Sequence, residues 1–226
     1  MPVNAVIFDL DGTLLNHFQA IYRSFCFAQE KLGLPPVDYE TVKQAVGGPD
    51  SETVGRLVEA RFLNKALPLY ERRFDEIYLE NAKLLPGAQW ITQSLRQRGC
   101  ATAIVTNKGG RHARGLMREL ELDHLYDCIF GVGDTPYYKP DARLTHRVLH
   151  ALATPPEESC VIGDSPYDIA TAEAVGIPCY TVTTGTSSRE ALADAGSNGV
   201  FDDLFQLGEE VLGLKTAKPP TIQSDP

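Results

Sequence analysis

The sequence predicts an α/β protein: an open parallel sheet flanked by helices, with an all-helical segment inserted into it. Three observations carry this reading. Short apolar runs recur at 5–10, 101–105, 128–132, 160–162 and 179–182 without polar alternation, as in strands covered on both faces. Helical patterns fall between them, such as Leu144, Val148, Leu149 and Leu152, or Leu116, Met117 and Leu120, and alternation of this kind builds an open α/β sheet. The segment from Asn16 to Leu85, by contrast, contains no strand-like run.

The first strand ends in an unusual way, in the stretch IFDLDGTLLN from Ile7 to Asn16. A buried carboxylate is costly unless it is paired or bound to a metal. A strand that closes on Asp9 and Asp11 is therefore either leaving the core or holding something cationic. The inserted segment follows at once. Phe18, Ile21, Tyr22, Phe25 and Leu32 share one helical face, Val54, Leu57, Val58 and Phe62 a second, and Leu67, Tyr70, Phe74, Ile77 and Tyr78 a third. Gly33-Leu-Pro-Pro and Gly47-Gly-Pro punctuate these helices, and Leu85-Pro-Gly87 returns the chain to the sheet. The expected division is a core of 1–15 and 86–213, a helical cap of 16–85 and a loose tail of 214–226.

Composition narrows the function classes. With 226 residues, 43% hydrophobic and 23% charged, the chain reads as a soluble globular protein with a sizeable core. A net charge of −9 argues against an electrostatic grip on nucleic acid or anionic lipid. No apolar run approaches membrane-spanning length, and the first residues read directly into a strand rather than a signal peptide. Five cysteines without a Cys-x-x-Cys pair fit reduced thiols, used mainly as small core residues, and a cytoplasmic location. Nothing in the sequence assigns an oligomeric state.

In open α/β sheets, ligands bind outside the carboxyl ends of the strands, and the polar clusters here sit at those ends. They are Asp9-Leu-Asp11-Gly-Thr13, Val105-Thr106-Asn107-Lys108, Lys139-Pro-Asp, and Gly163-Asp164-Ser-Pro-Tyr-Asp168. Each has a bland reading taken alone. Asp11-Gly could be a turn, Asp164 and Asp168 a helix cap and first-turn acid, and Lys139 a solvated lysine. Four unconnected segments converging on one rim outweigh those readings together. His146 and His150 are four apart but lack the acid of an HExxH metal motif, so they read as surface or packing residues, as do His17, His112 and His124. Arg56, Arg61, Arg72 and Arg73 read as solvated helix faces.

These four segments resemble, in order and spacing, the motifs of the haloacid dehalogenase-like superfamily, and within it the chain looks like the phosphoglycolate-phosphatase-like branch with a small helical cap. The resemblance implies a Rossmannoid core and a Mg²⁺-dependent phosphatase acting on a small phosphate monoester, either phosphoglycolate-like or a sugar phosphate. It implies Asp9 as nucleophile, forming an aspartyl-phosphate, and Asp11 as general acid and base. Mg²⁺ would be held by the Asp9 carboxylate, the Asp11 main-chain carbonyl and Asp164. Thr106, the Asn107 backbone and Lys139 would hold the phosphoryl oxygens, and Asp168 would fix the metal site or Lys139. Charge balance gives the metal its own reason: a phosphate brings negative charge into a site already holding three aspartates. Two positions depart from the family pattern: Asn16, where relatives usually have aspartate, and Ala142, where many have proline.

Two other functions use similar parts. A sugar phosphomutase forms the same aspartyl-phosphate but returns the phosphoryl group to its substrate. A phosphoacceptor receiver domain also combines Asp, Mg²⁺, Thr and Lys, but is much shorter and has no helical insertion. Dehalogenase chemistry is disfavoured, because a carboxylic acid at Asp11 suits an oxygen leaving group. Specificity is assigned to the inserted segment, which overhangs Asp9, with Gly48 and Asp50 in the Gly47-Gly-Pro-Asp50 turn as the residues contacting substrate, since glycine permits close backbone approach.

Overall fold

The computed structural model describes residues 3–215, so the expected tail at 214–226 lies almost wholly outside the described residues. The chain begins with β1 (Ala5–Phe8) and β2 (Leu15–Asn16), followed by the helices α1 (Phe18–Leu32), α2 (Tyr39–Ala45), α3 (Asp50–Leu57) and α4 (Ala60–Ile77). It continues through β3 (Lys83–Leu84), α5 (Ala88–Gln97), β4 (Ala101–Gly109), α6 (Gly110–Glu119), β5 (Cys128–Val132) and α7 (Ala142–Ala151). It closes with β6 (Ser159–Gly163), α8 (Pro166–Glu173), β7 (Cys179–Val182), α9 (Arg189–Asp194), β8 (Gly199–Phe201) and α10 (Leu204–Glu210).

Six strands form one sheet in the order β5-β4-β1-β6-β7-β8, and every neighbouring pair is parallel. Side chains alternate across a strand, which explains why the strands are apolar throughout. Val6 and Phe8 of β1 pack into a layer with Ile91 and Leu95 of α5, Leu116 and Met117 of α6, and Leu204 and Leu207 of α10. Ala5 and Ile7 face the opposite layer, with Leu144 and Val148 of α7, Ile169 of α8 and Leu192 of α9. Each large aliphatic side chain so buried stabilises the fold by roughly 1.5–3 kcal/mol.

The helices α1–α4 enclose an apolar cluster of their own around Phe18, Phe25, Val42, Val54, Tyr70 and Phe74. The segment differs in detail from its expected pattern. Val54 to Phe62 does not form one helix: α3 ends at Leu57, Val58 caps it in an extended conformation, and Phe62 belongs to α4. A further short helix, α2, precedes the Gly47-Gly-Pro turn, capped by Asp38 accepting from the Thr41 N–H at 2.9 Å. The segment leaves and re-enters the core through the antiparallel pair β2–β3, which matches Leu15 with Leu84 and Asn16 with Lys83. That two-residue ribbon and β8 are the strands the apolar runs did not signal.

The five cysteines are all free; Cys100, Cys160 and Cys179 are buried, and Cys26 and Cys128 half-buried. Among the described residues no helix is long and apolar enough to cross a membrane. His124, His146 and His150 are exposed, whereas His17 and His112 are buried.

Ile104 is fully buried in β4, opposite Phe8 of β1 and Ile129 of β5. Ile104→Ala is therefore expected to lower unfolding free energy by about 2–5 kcal/mol. A urea titration with unchanged m-value checks this; a loss below about 1 kcal/mol would show that β4 can collapse around the cavity.

Candidate active site

The chain passes outward from β1 through β4 to β5, then returns across the sheet to β6 on the other side of β1. The direction of winding reverses between β1 and β6, and such a switch point leaves a crevice at the strand ends. Asp9 follows β1 and Asp164 follows β6, so the two carboxylates stand on either side of that crevice. The backbone ladder continues one step past β1, with the Asp9 N–H donating to the Ile162 carbonyl at 2.9 Å. A carboxylate of Asp9, of Asp164 and of Asp168 each places an oxygen within 4.8 Å of the others.

One ammonium group serves this cluster. Lys139 Nζ donates to Asp9 Oδ1 and to Asp168 Oδ1, both at 2.7 Å, and is 2% exposed. Burial works against the charged lysine, but Asp168 and Asp9 outweigh it and hold its pKa above the ordinary range. Asp168 is fully engaged, since its Oδ2 accepts from the N–H of Ser165 at 3.0 Å, its hydroxyl at 2.7 Å and the Asp164 N–H at 3.2 Å. Ser165 and Asp168 thereby form a capping box at the start of α8. The helix cap and the lysine anchor are thus the same side chain. Asp164 accepts from the Thr13 hydroxyl at 3.0 Å and the Thr186 N–H at 3.1 Å. Gly12, at φ +90°, lies against this carboxylate, and a Cβ there would collide with it.

Asp11 is turned to a different partner. Its Oδ2 forms an ion pair with Lys108 Nζ at 2.6 Å, and the same ammonium sits 4.9 Å from the centre of the Phe74 ring. Asp11 Oδ1 is buried without a hydrogen-bond partner and lies 3.8 Å from Nδ1 of His17. Burial, with the Lys108 charge beside it, pulls the His17 pKa down to about 4, so the ring is neutral near pH 7.

Thr106, Asn107 and Lys108 lie where β4 breaks register with β5: Val105 pairs with Phe130, but Gly109 pairs with Val132. The surplus residues on β4 form a bulge, which re-aims side chains out of the ladder. The Thr106 hydroxyl accepts from the Lys108 N–H at 3.2 Å. Asn107 donates to the Gly47 carbonyl at 3.0 Å and the Lys139 carbonyl at 3.3 Å, and accepts from the Lys139 N–H at 3.0 Å. Its side chain ties the turn of the helical insertion to the loop carrying Lys139.

A cavity of about 30 Å³ joins these groups, lined by Asp9, Asp11, Thr106, Asn107, Lys108 and Asp164 from the sheet, and by Gly48, Asp50 and Tyr70 from the insertion. Burial pushes the Asp50 pKa up to about 6. Lys139 and Asp168 stand behind the cavity wall, reaching it through Asp9. The residues to which sequence reasoning gave no role are Lys108, Tyr70, His17, Thr13 and Thr186. Lys108 and Thr13 had a signal, as members of polar clusters at strand ends; Tyr70, His17 and Thr186 touch the site only through tertiary packing. Arg56 is not simply solvated: it donates to the Ala45 carbonyl at 2.8 Å and to the Tyr167 hydroxyl at 2.6 Å, across the junction of insertion and core.

The donor set suits a hard divalent cation. Burial and then mutual repulsion with Asp9 and Asp168 hold the Asp164 pKa well above its ordinary value. Burial likewise raises Asp9 to about 6 even with Lys139 opposing. Three clustered carboxylates against one ammonium leave surplus negative charge among oxygen ligands, which is the environment Mg²⁺ accepts.

Known proteins resemble this chain over most of its length. A family model described as haloacid dehalogenase-like hydrolase matches residues 6–182. The phosphoglycolate phosphatase of Rhodospirillum rubrum is 33% identical, covering 92% of this chain and 90% of its own. A putative pyrophosphatase, PpaX, of Caldanaerobacter subterraneus is 29% identical over 94% of this chain and 96% of its own. The crystal structure of a putative phosphoglycolate phosphatase from Lactobacillus delbrueckii superposes with a TM-score of 0.88 at 24% identity, covering 95% of this chain and all of that one, and so shares the fold. The four rim segments, the sheet order and these relatives lead to one conclusion: the chain belongs to the haloacid dehalogenase-like hydrolase family and is a phosphatase-type enzyme of its phosphoglycolate-phosphatase-like branch.

Proposed function

We propose that the protein hydrolyses a small phosphate monoester in a Mg²⁺-dependent reaction through an aspartyl-phosphate on Asp9. The observation that most supports this is the grouping of Asp9, Asp164 and Asp168 around the single ammonium of Lys139 at the switch point of the sheet. Asp9 attacks phosphorus and the ester oxygen leaves; water then hydrolyses the acyl phosphate and frees phosphate. Asp11 gives a proton to the departing oxygen and takes one from the water. Lys108 holds Asp11 Oδ2, and Asp11 lines the cavity beside Asp9. Thr106 and the N–H groups of the β4 bulge bind phosphoryl oxygens, with Lys139 balancing their charge. Asp168 acts through Lys139, holding it against Asp9.

Asp9, Asp164 and the Asp11 main-chain carbonyl would hold the metal, because both oxygens of Asp168 are committed elsewhere. When bound, Mg²⁺ would offset carboxylate and phosphate charge and favour the ionised form of the Asp9 carboxyl. We assign residues 16–85 as a cap over a core of 1–15 and 86–213, closing over the cavity to exclude water. A mutase would keep the phosphoryl group on its substrate, so stoichiometric release of inorganic phosphate separates the two reactions.

Asp9→Asn keeps the side-chain volume and removes the nucleophile. Phosphate release is expected to fall by about 10⁴-fold or more with an unchanged circular dichroism spectrum, and a variant retaining a tenth of the activity would remove Asp9 from this role. Exhaustive chelation is expected to abolish turnover and Mg²⁺ to restore it. Ca²⁺ should restore little, because its longer bonds misplace Asp9 for in-line attack; full activity in chelator would defeat the metal assignment. Lys139→Met strips three buried carboxylates of their one cation and is expected to cost about 3–5 kcal/mol of stability. Adding Asp168→Asn should recover part of that loss, and strict additivity in the double-mutant cycle would contradict the coupling.

A further inference from the structure

The catalytic cavity is too small for a whole substrate. Its volume of about 30 Å³ is far below the roughly 300–1,000 Å³ of small-molecule sites. Asp50 and Asn107 also line a second cavity, of about 470 Å³, which opens at the junction of the insertion and the core. With the phosphoryl group over Asp9, the remainder of the ester can extend along that shared wall. The second cavity is bordered by Asp50, Ser51, Glu71 and Asp75 from the insertion and by Arg111 and His112 from α6.

The cations bordering the two cavities are already paired. Lys108 holds Asp11, while Arg111 and His112 both bond Asp75 Oδ1. The acids are not matched in return. Asp50 meets the Tyr70 hydroxyl at 3.4 Å and no ion-pair partner, and Glu71 has neither an ion pair nor a hydrogen bond among the described residues. The arginines of the insertion do not help. Arg23 is bonded to Glu80, Arg56 to Ala45 and Tyr167, Arg61 to Glu59 and Arg73 to Glu76, and Arg72 lies over the Phe27 ring. None of the five borders either cavity. A second anionic group on the substrate would face unpaired carboxylates with no free cation, while an alcohol with several hydroxyls would find acceptors in Asp50, Glu71 and Ser51.

We infer that the 470 Å³ cavity is the leaving-group subsite and selects an uncharged, polyhydroxylated alcohol, rejecting esters whose leaving group carries a carboxylate or phosphate. The inference rests on the phosphatase reading and narrows it against the substrates that the relatives' names suggest. The test measures phosphate release from glycerol 3-phosphate, a hexose phosphate, 2-phosphoglycolate, pyrophosphate and p-nitrophenyl phosphate with the Mg²⁺-loaded wild-type enzyme. The two polyol esters are expected to exceed 2-phosphoglycolate and pyrophosphate in kcat/KM by about tenfold or more, the scale on which like-charge contacts discriminate. In Asp50→Asn/Glu71→Gln the ratio should contract to within about threefold, by better use of the anionic substrates. Wild-type preference for either anionic substrate, or an unchanged ratio in the double variant, overturns the inference alone. Release from none of the five compounds, the aryl ester included, overturns the phosphatase reading with it.

Discussion

The carboxylate cluster at the rim of the sheet depends on one buried ammonium. Lys139 must be charged to hold Asp9 and Asp168, and those two carboxylates must be charged to hold Lys139. Separating such a group from water is unfavourable, and the attraction compensates only when geometry and hydrogen bonding are complete. The fold completes both. Asp168 is locked by the cap of α8, the main chain of Lys139 is clamped by Asn107, and Asp9 is fixed by the last rung between β1 and β6. Three ordinary devices of secondary structure thus converge on a constellation that none of them would hold alone.

The sheet order explains why these devices meet. Because winding reverses beside β1, the loops after β1 and β6 part to opposite faces and leave a gap between them. The long excursion through α1–α4 leaves the core just past that gap and returns beside its own start through the β2–β3 pair. Four helices with their own apolar centre are held over the rim by a connection only two residues deep, together with polar contacts such as Arg56 to Tyr167 and Asp75 to His112. Contacts of this kind exchange readily with water, unlike the packed cores on either side.

Much of this was legible in the residues. Runs such as 101–105 and 179–182 announce covered strands because both faces are apolar, and a strand closing on Asp9 and Asp11 already asks for a cation. β8 was not legible, since three residues, Gly199–Phe201, hold strand geometry only by pairing with β7. The extent of β4 was missed for a related reason. Thr106-Asn107-Lys108 looks like a loop, yet the chain regains the ladder at Gly109. Lys108 and Tyr70 escaped because their partners, Asp11 and Asp50, lie far away in sequence and are brought close only by packing of the insertion on the core. Sequence pattern carries local periodicity and the ends of strands; it does not carry which distant side chains an interface will bring together.

Asn107 has a consequence of a different order. One amide group grips the carbonyl of Gly47 in the insertion and both backbone polar groups of Lys139 in the core. Asn107 is thus a shared strut: one side chain sets the spacing between the Gly47 turn and the loop of Lys139, and a residue without an amide there would leave both backbone polar groups of Lys139 unmatched.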